Sequence, residues 1–255
     1  MTTRIFNVKK SNVDLASDPC YHKIGAEIKN SVDLRLTDSP IDDQGQLGSC
    51  SANALVNVYE NMLIKSNANK FKDLSRLFLY YNSRSLEETI DFDVGVMELK
   101  TVLDSAKDVG ICLEDFWPYD ISTFSTKPSE KAYLDALGRR IPKYEYIETN
   151  DGMLEILSLQ SKPILIGMYV FSNFMTVNKR RPVIALPTDS DVLSGGHAVS
   201  VVGYTVDNDL IIKNSFGPEW GSYGYGILSK EYAEKFIFDR WHMYLPENFG
   251  AEGEI

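Results

Sequence analysis

Apolar side chains recur at Ala52, Leu55, Val56, Tyr59, Met62 and Leu63, a spacing that sets one stripe along a helix beginning near Cys50. Ser49, just ahead of it, is a suitable N-cap. A second helix is predicted over LSRLFLYYNSRSLEE from Leu74, with Ser75 as its cap and mostly apolar inner turns. In VGVMELKTVLDSAKDVG, Leu99, Val102, Leu103, Ala106 and Val109 hold helical spacing up to Gly110, a residue suited to the left-handed position past a helix end. Residues 45–115 are therefore expected to be mostly helical. A polar connection follows WPYD, then a short helical piece from Ser129 to Leu137.

The pattern changes near Arg140. KPILIGMYVF, HAVSVVGYTV, DLIIKNS, GYGILS and RWHMYLP are β-rich runs bounded by Gly, Pro, Asn and Asp, so the second half reads as a mainly antiparallel sheet. Between the first two, NKRRPVIALPTDSDVLSGG reads as a long surface loop. The first forty residues are polar and weakly periodic, ending in the extended stretch SVDLRLTDSPIDDQG.

Composition narrows the partners. A formal net charge of −10 over 255 residues argues against nucleic acid and anionic membrane surfaces, which both reward clustered Lys and Arg. Residues 1–30 hold no apolar signal-peptide core, and no run is long enough to span a bilayer. The expectation is a soluble monomer of the cytoplasm or a virion, bound neither to nucleic acid nor to membrane. Cys20, Cys50 and Cys112 are too few and scattered for a disulfide framework or zinc site. Cys20 and Cys112 either pair with each other or stay free, and free thiols fit a reducing compartment.

Candidate chemistry gathers at a few positions. Placed in the first turn of its helix, the Cys50 thiol meets free backbone N–H groups and the positive end of the helix dipole, which favour a thiolate. Gln44 can turn its amide toward an oxygen that becomes negative when Cys50 attacks a carbonyl. His197 opens one arm and Asn214 closes the other arm of a hairpin turned at Asp207–Asn208–Asp209. The arms are unequal, so the two meet only if the first strand bends, with Gly203 as the candidate. An Asn214 oxygen accepting from one ring nitrogen would leave the other facing a thiol. Taken alone, each residue also fits a packing or turn role, and His22 and His242 are read as surface or packing residues.

QGQLGSC ahead of the helix, GGHAVSVVGY at the histidine, IKNSFGPEWG at the asparagine and GYGILS beyond it occur in an order that resembles the papain family of cysteine peptidases, over about residues 32–245. VDLR, DQGQLGSCSANA, LFLYYN and WPYD are most similar to its branch in bacteria and large DNA viruses. The resemblance implies an α+β fold of two lobes, a helical left lobe and an antiparallel β right lobe with the cleft between. It implies an endopeptidase acting on polypeptide substrates through a thioester acyl-enzyme, with no metal or organic cofactor. Residues 1–31, much shorter than the prosegment of family zymogens, are either a short propeptide-like segment folded back over Cys50 or a loosely packed tail, ahead of a catalytic domain at 32–255 with lobes at about 41–139 and about 140–250.

Position by position, the resemblance makes Cys50 the nucleophile, His197 the general base and acid, and Asn214 the residue orienting the imidazole. Gln44 and the Cys50 N–H form the oxyanion hole, and a Cys50–His197 ion pair is expected. Gly95 pairs with bound substrate through its backbone, and Trp220 is the aromatic on the leaving-group side. Val96, Met97, Gly167 and Gly195 border the pocket for the second residue before the scissile bond, with room for a bulky apolar side chain. There are departures: Ser51 follows the nucleophile, Gly196 precedes the histidine, Phe216 replaces the tryptophan over the asparagine–histidine bond, and Leu47 replaces a disulfide-forming cysteine. Two rival readings stay open: an acyl-transferring or deamidating enzyme acting on one protein, and a binding module that reuses the cleft without catalysis.

Overall fold

The computed structural model of the protein describes residues 4–66 and 71–246. Helix α1 (Cys50–Ser66) runs through the middle, and every residue from Cys50 to Leu63 is buried. Its apolar stripe predicts one solvent-facing side. Instead its polar side is also covered, because carboxylate and amide groups there find partners: Glu60 accepts the Leu74 N–H at 2.9 Å and Asn61 Nδ2 reaches Asp38 at 3.2 Å. The Ser49 hydroxyl is engaged by Tyr119 (2.5 Å) and Asn53 Nδ2 (3.0 Å). Helices α2 (Arg76–Leu86) and α3 (Leu99–Asp108) pack beside α1, and Ser75 caps α2 by accepting the Phe78 N–H. Helix α4 (Glu130–Ala136), capped by Ser129, completes the helical side.

Among the described residues the strands form one sheet of nine. Its centre is β4 (Ile164–Phe171), flanked by β6 (Leu193–Tyr204) and β9 (Ile237–Met243), both antiparallel to it. Beyond β6 lie β7 (Leu210–Lys213), β8 (Tyr225–Leu228) and β5 (Val183–Ile184); beyond β9 lie β3 (Tyr144–Ile147) and β1 (Cys20–Tyr21). The short strand β2 (Val32–Asp33) pairs with the end of β6. One core lies between α1–α3 and the sheet, with Leu55, Tyr59, Val102, Leu165, Ala198 and Trp241; the other holds Ile156, Ile166, Val199, Phe216 and Tyr232.

Two helices interrupt the half read as sheet. Helix α5 (Asn150–Gln160) is capped by Thr149, whose hydroxyl accepts the Gly152 N–H, and buries Met153, Leu154, Ile156 and Leu157 at helical spacing. Helix α6 (Lys230–Phe236) is capped by Ser229. Part of the expected long loop is sheet as well: β5 pairs parallel with β8, and β6 starts four residues ahead of His197. All three cysteines are free. Cys112 packs with Phe78, Ala132 and Ala136, so a Cys20–Cys112 pairing is absent.

Candidate active site

The loop before α1 brings Gln44 and Cys50 to the sheet. The Gln44 backbone N–H donates to Ser215 O (2.9 Å), its side-chain Oε1 accepts the Ser215 hydroxyl (2.6 Å), and its Nε2 donates one hydrogen to Leu47 O (2.8 Å). An amide nitrogen carries two hydrogens, so the second is left for an incoming oxygen. The N–H groups of Ala198, Ser51 and Cys50 itself bear on the Cys50 sulfur. The nucleophile candidate therefore sits where α1 begins and against the strand that carries His197.

His197 reaches Asn214 as the hairpin requires. The register between β6 and β7 shifts between Val201 and Gly203, one extra residue that sets Ser200 opposite Lys213 and so turns His197 to the face of the pair that Asn214 shares. His197 Nε2 then lies 2.9 Å from Asn214 Oδ1, and that oxygen also accepts the Ser215 N–H at 2.9 Å. A backbone N–H can only donate, so the shared atom is the amide oxygen, and Nε2 must carry the ring hydrogen. Nδ1 is thereby left as a lone pair, and it is buried without a partner among the described residues. It is the atom able to take a thiol proton. Phe216 lies 4.9 Å from the imidazole, ring centre to ring centre, and Phe174 5.6 Å away. Trp220 stacks on Phe174 and donates Nε1–H to its carbonyl at 3.1 Å.

The first described residues of the chain run alongside these groups. Phe6 O accepts the Gly196 N–H and the Val8 N–H donates to Gly196 O, both at 3.2 Å, while the Lys9 N–H donates to Met97 O at 2.7 Å. The Arg4 guanidinium lies 3.8 Å from the centre of the Phe216 ring and donates to Gly45 O at 2.8 Å. The Phe6 ring stands edge-on to His197, 5.5 Å between centres. Such close passage needs Gly196, where an added Cβ would lie 1.7 Å from Val8 O. Further on, the Ser11 N–H and hydroxyl both donate to Asp239 Oδ2, at 2.9 and 2.5 Å.

Burial sets the electrostatics. Cys50 is 1% exposed and His197 0%. Burial pushes the thiol up to about 11 against the Ala198 N–H of β6 and the helix-end N–H groups of Ser51 and Cys50, which lower it, and pushes the imidazole down to about 4 against the stabilising Asn214 bond. In both groups burial acts against the charged form.

The model of papain family cysteine proteases matches residues 28–240. The chain belongs to that family. It is 37% identical over 212 residues to a peptidase C1-like protein of Acanthamoeba polyphaga mimivirus, covering 78% of this chain and 68% of the viral one. Vignain of Vigna mungo is 29% identical over 222 residues, covering 84% of this chain, which spans 58% of the plant protein's length. Xylellain, a cysteine protease from Xylella fastidiosa, superposes with a TM-score of 0.84 at 29% identity, over 97% of this chain and 99% of that one. Digestive procathepsin L 3 of Tenebrio molitor shares the fold at 20% identity, with a TM-score of 0.71 over 94% of this chain and 76% of that one. The chain is thus a papain-like cysteine peptidase of α+β fold.

The remaining positions have the following neighbours. Gly95, at φ +82°, lies against Gly48, and the Asn7 side chain donates to the neighbouring Val94 O at 2.9 Å. Val96 is fully buried in the helical-side core rather than bordering open space. The room expected over Gly167 is taken by Phe238, whose ring would lie 2.7 Å from an added Cβ, and that over Gly195 by the Phe6 backbone. Phe238, Asp93, Arg4 and Phe6 escaped sequence reasoning. None of the four lies in a run or motif that the sequence singles out.

Proposed function

We propose that this papain-like enzyme is an endopeptidase in which Cys50 is the nucleophile, His197 its base and later the acid for the leaving amine, and Asn214 the group that fixes the ring. In this reading Nδ1 takes the thiol proton and sulfur attacks the substrate carbonyl. The resulting oxyanion is held by Gln44 Nε2 and the Cys50 N–H, His197 protonates the departing amine, and water then cleaves the thioester. The observation that carries it is the pair of donors on Asn214 Oδ1, since it forces the basic lone pair onto the one ring nitrogen left free. Residues 32–255 are the catalytic domain, and residues 1–31 are a covering segment.

Several contacts support the covering role. The segment's Val8 is 3% exposed, and burying such a side chain is worth roughly 1.5–3 kcal/mol. Phe6 O accepts the Gly196 N–H, so this carbonyl is held by the strand that carries His197. The segment lies in the cleft as a plug.

The test compares peptide turnover by the full chain, a chain starting at Val32 and full-length Phe6→Ala. Faster turnover by the latter two supports the cover, and equal rates reject it. Labelling of Cys50 by an epoxide that needs an activated thiolate tests the nucleophile, and product analysis separates hydrolysis from acyl transfer or deamidation. No labelling in any of the three would reject the catalytic assignment.

A further inference from the structure

Two loops meet back to back beside the candidate nucleophile. One runs from Gln44 to Cys50 and carries the candidate oxyanion donors; the other, residues 93–97, carries Gly95. Their backbones touch: a Cβ on Gly48 would lie 2.8 Å from both Gly95 Cα and N, and one on Gly95 would lie 3.3 Å from Gly48 O. No disulfide links the two loops, since Cys20, Cys50 and Cys112 are all free.

A carboxylate joins the loops instead. Asp93 Oδ1 accepts the Gly48 N–H at 3.0 Å and the Tyr80 hydroxyl at 2.5 Å. Tyr80, on α2, is fully buried, and the Arg84 guanidinium lies 4.3 Å from its ring centre. The other end of the 93–97 loop is fixed from the same helix, since both Glu87 carboxylate oxygens lie 3.0 Å from the Met97 nitrogen and accept its N–H. Charge-assisted bonds of this kind are the stronger class and impose a direction that apolar contact does not.

We propose that Asp93 is a positioning residue, a non-covalent clasp that holds the Gln44–Cys50 loop in register with the loop bearing Gly95. The proposal rests on the reading of Cys50 and Gln44 given above. Gly48 is two residues from the Cys50 N–H, so a slip at Gly48 displaces a donor that must meet the oxyanion. Asp93 touches neither substrate nor sulfur and acts through the loop. The clasp needs no oxidant to form and works in a reducing compartment.

The test uses full-length protein with Asp93→Ala, Asp93→Asn and Tyr80→Phe, each checked for an unchanged circular dichroism spectrum. Hydrogen exchange at the Gly48 amide is expected to quicken at least about tenfold in Asp93→Ala, with kcat for a peptide falling about a hundredfold and KM nearly constant. Asp93→Asn keeps an oxygen able to accept both bonds and is expected to recover most of kcat and of the protection. Should Asp93→Ala fail to fold, Tyr80→Phe, which removes one donor and leaves the carboxylate, takes its place with a smaller loss of the same kind. Unchanged Gly48 exchange, or equal loss in the Ala and Asn variants, would overturn the clasp. Gly48 exchange decides it even if no peptide is cleaved, whereas the catalytic assignment stands or falls on Cys50 labelling.

Discussion

Whether Cys50 is charged is decided by water. Alkylation by iodoacetamide consumes thiolate, so its rate follows the thiol's ionisation. A thiol raised by burial to about 11 ionises only at high pH, and uncovering it must move the rise in rate downward. Full-length protein should therefore show its inflection well above neutrality, with Phe6→Ala shifted to lower pH; identical profiles would contradict the electrostatic effect of the cover. Gln44→Ala should lower kcat by roughly 10²–10³, the usual cost of one oxyanion donor; single-turnover kinetics check this against a chain with the cover displaced. Cys50, His197, Asn214 and Gln44 were legible because each is a chemistry-bearing residue inside a motif. Asp93 and Phe238 were not, since an acid in a loop and an aromatic in a strand carry no sign of what they will touch.

Among the elements, β7 shows how a strand end is held for chemistry. Lys213, just before Asn214, is 0% exposed; its Nζ donates to Asp38 Oδ1 (3.3 Å), Ser39 O (2.9 Å) and Ser39 Oγ (2.8 Å). Removing one member of a buried pair leaves a charge without its partner, so Lys213→Ala should cost about 3–5 kcal/mol, read as a lower midpoint in urea unfolding. The first three helices were readable because their apolar spacing is sustained and their stops are marked. Helices α5 and α6 were lost between strands: α6 has seven residues and α5 eleven, too short for the helical period to stand out beside β-rich neighbours. In α5 the Thr149 cap was the missed cue. The bend in β6 was legible because the arms are unequal, and the extra residue turns His197 to the face that Asn214 shares.

For the whole molecule, the N-terminal segment joins what the cleft divides. The Ser11 hydroxyl donates to Asp239 on β9 and accepts the Lys100 N–H from the first turn of α3 at 3.2 Å, so one side chain bridges the sheet and the helical side. Ser11→Ala leaves the fully buried Asp239 with one donor fewer and should cost about 1–3 kcal/mol. Raised peptide turnover together with a lower unfolding midpoint is the expected pair of results. A change in stability alone would mean that Ser11 braces the fold without restraining access. This bridge was not legible, since Ser11 and Asp239 are 228 residues apart and neither lies in a motif.

In the proposed covering role the strip beside His197 stays joined to the body through residues 12–31, so its local concentration there is set by that connection, on the order of millimolar or more for a short tether. Diluting the protein does not lower it. Soluble peptides must therefore compete with a neighbour that cannot diffuse away. One cut in the connection ends that advantage, turning a permanent occupant into an ordinary solute.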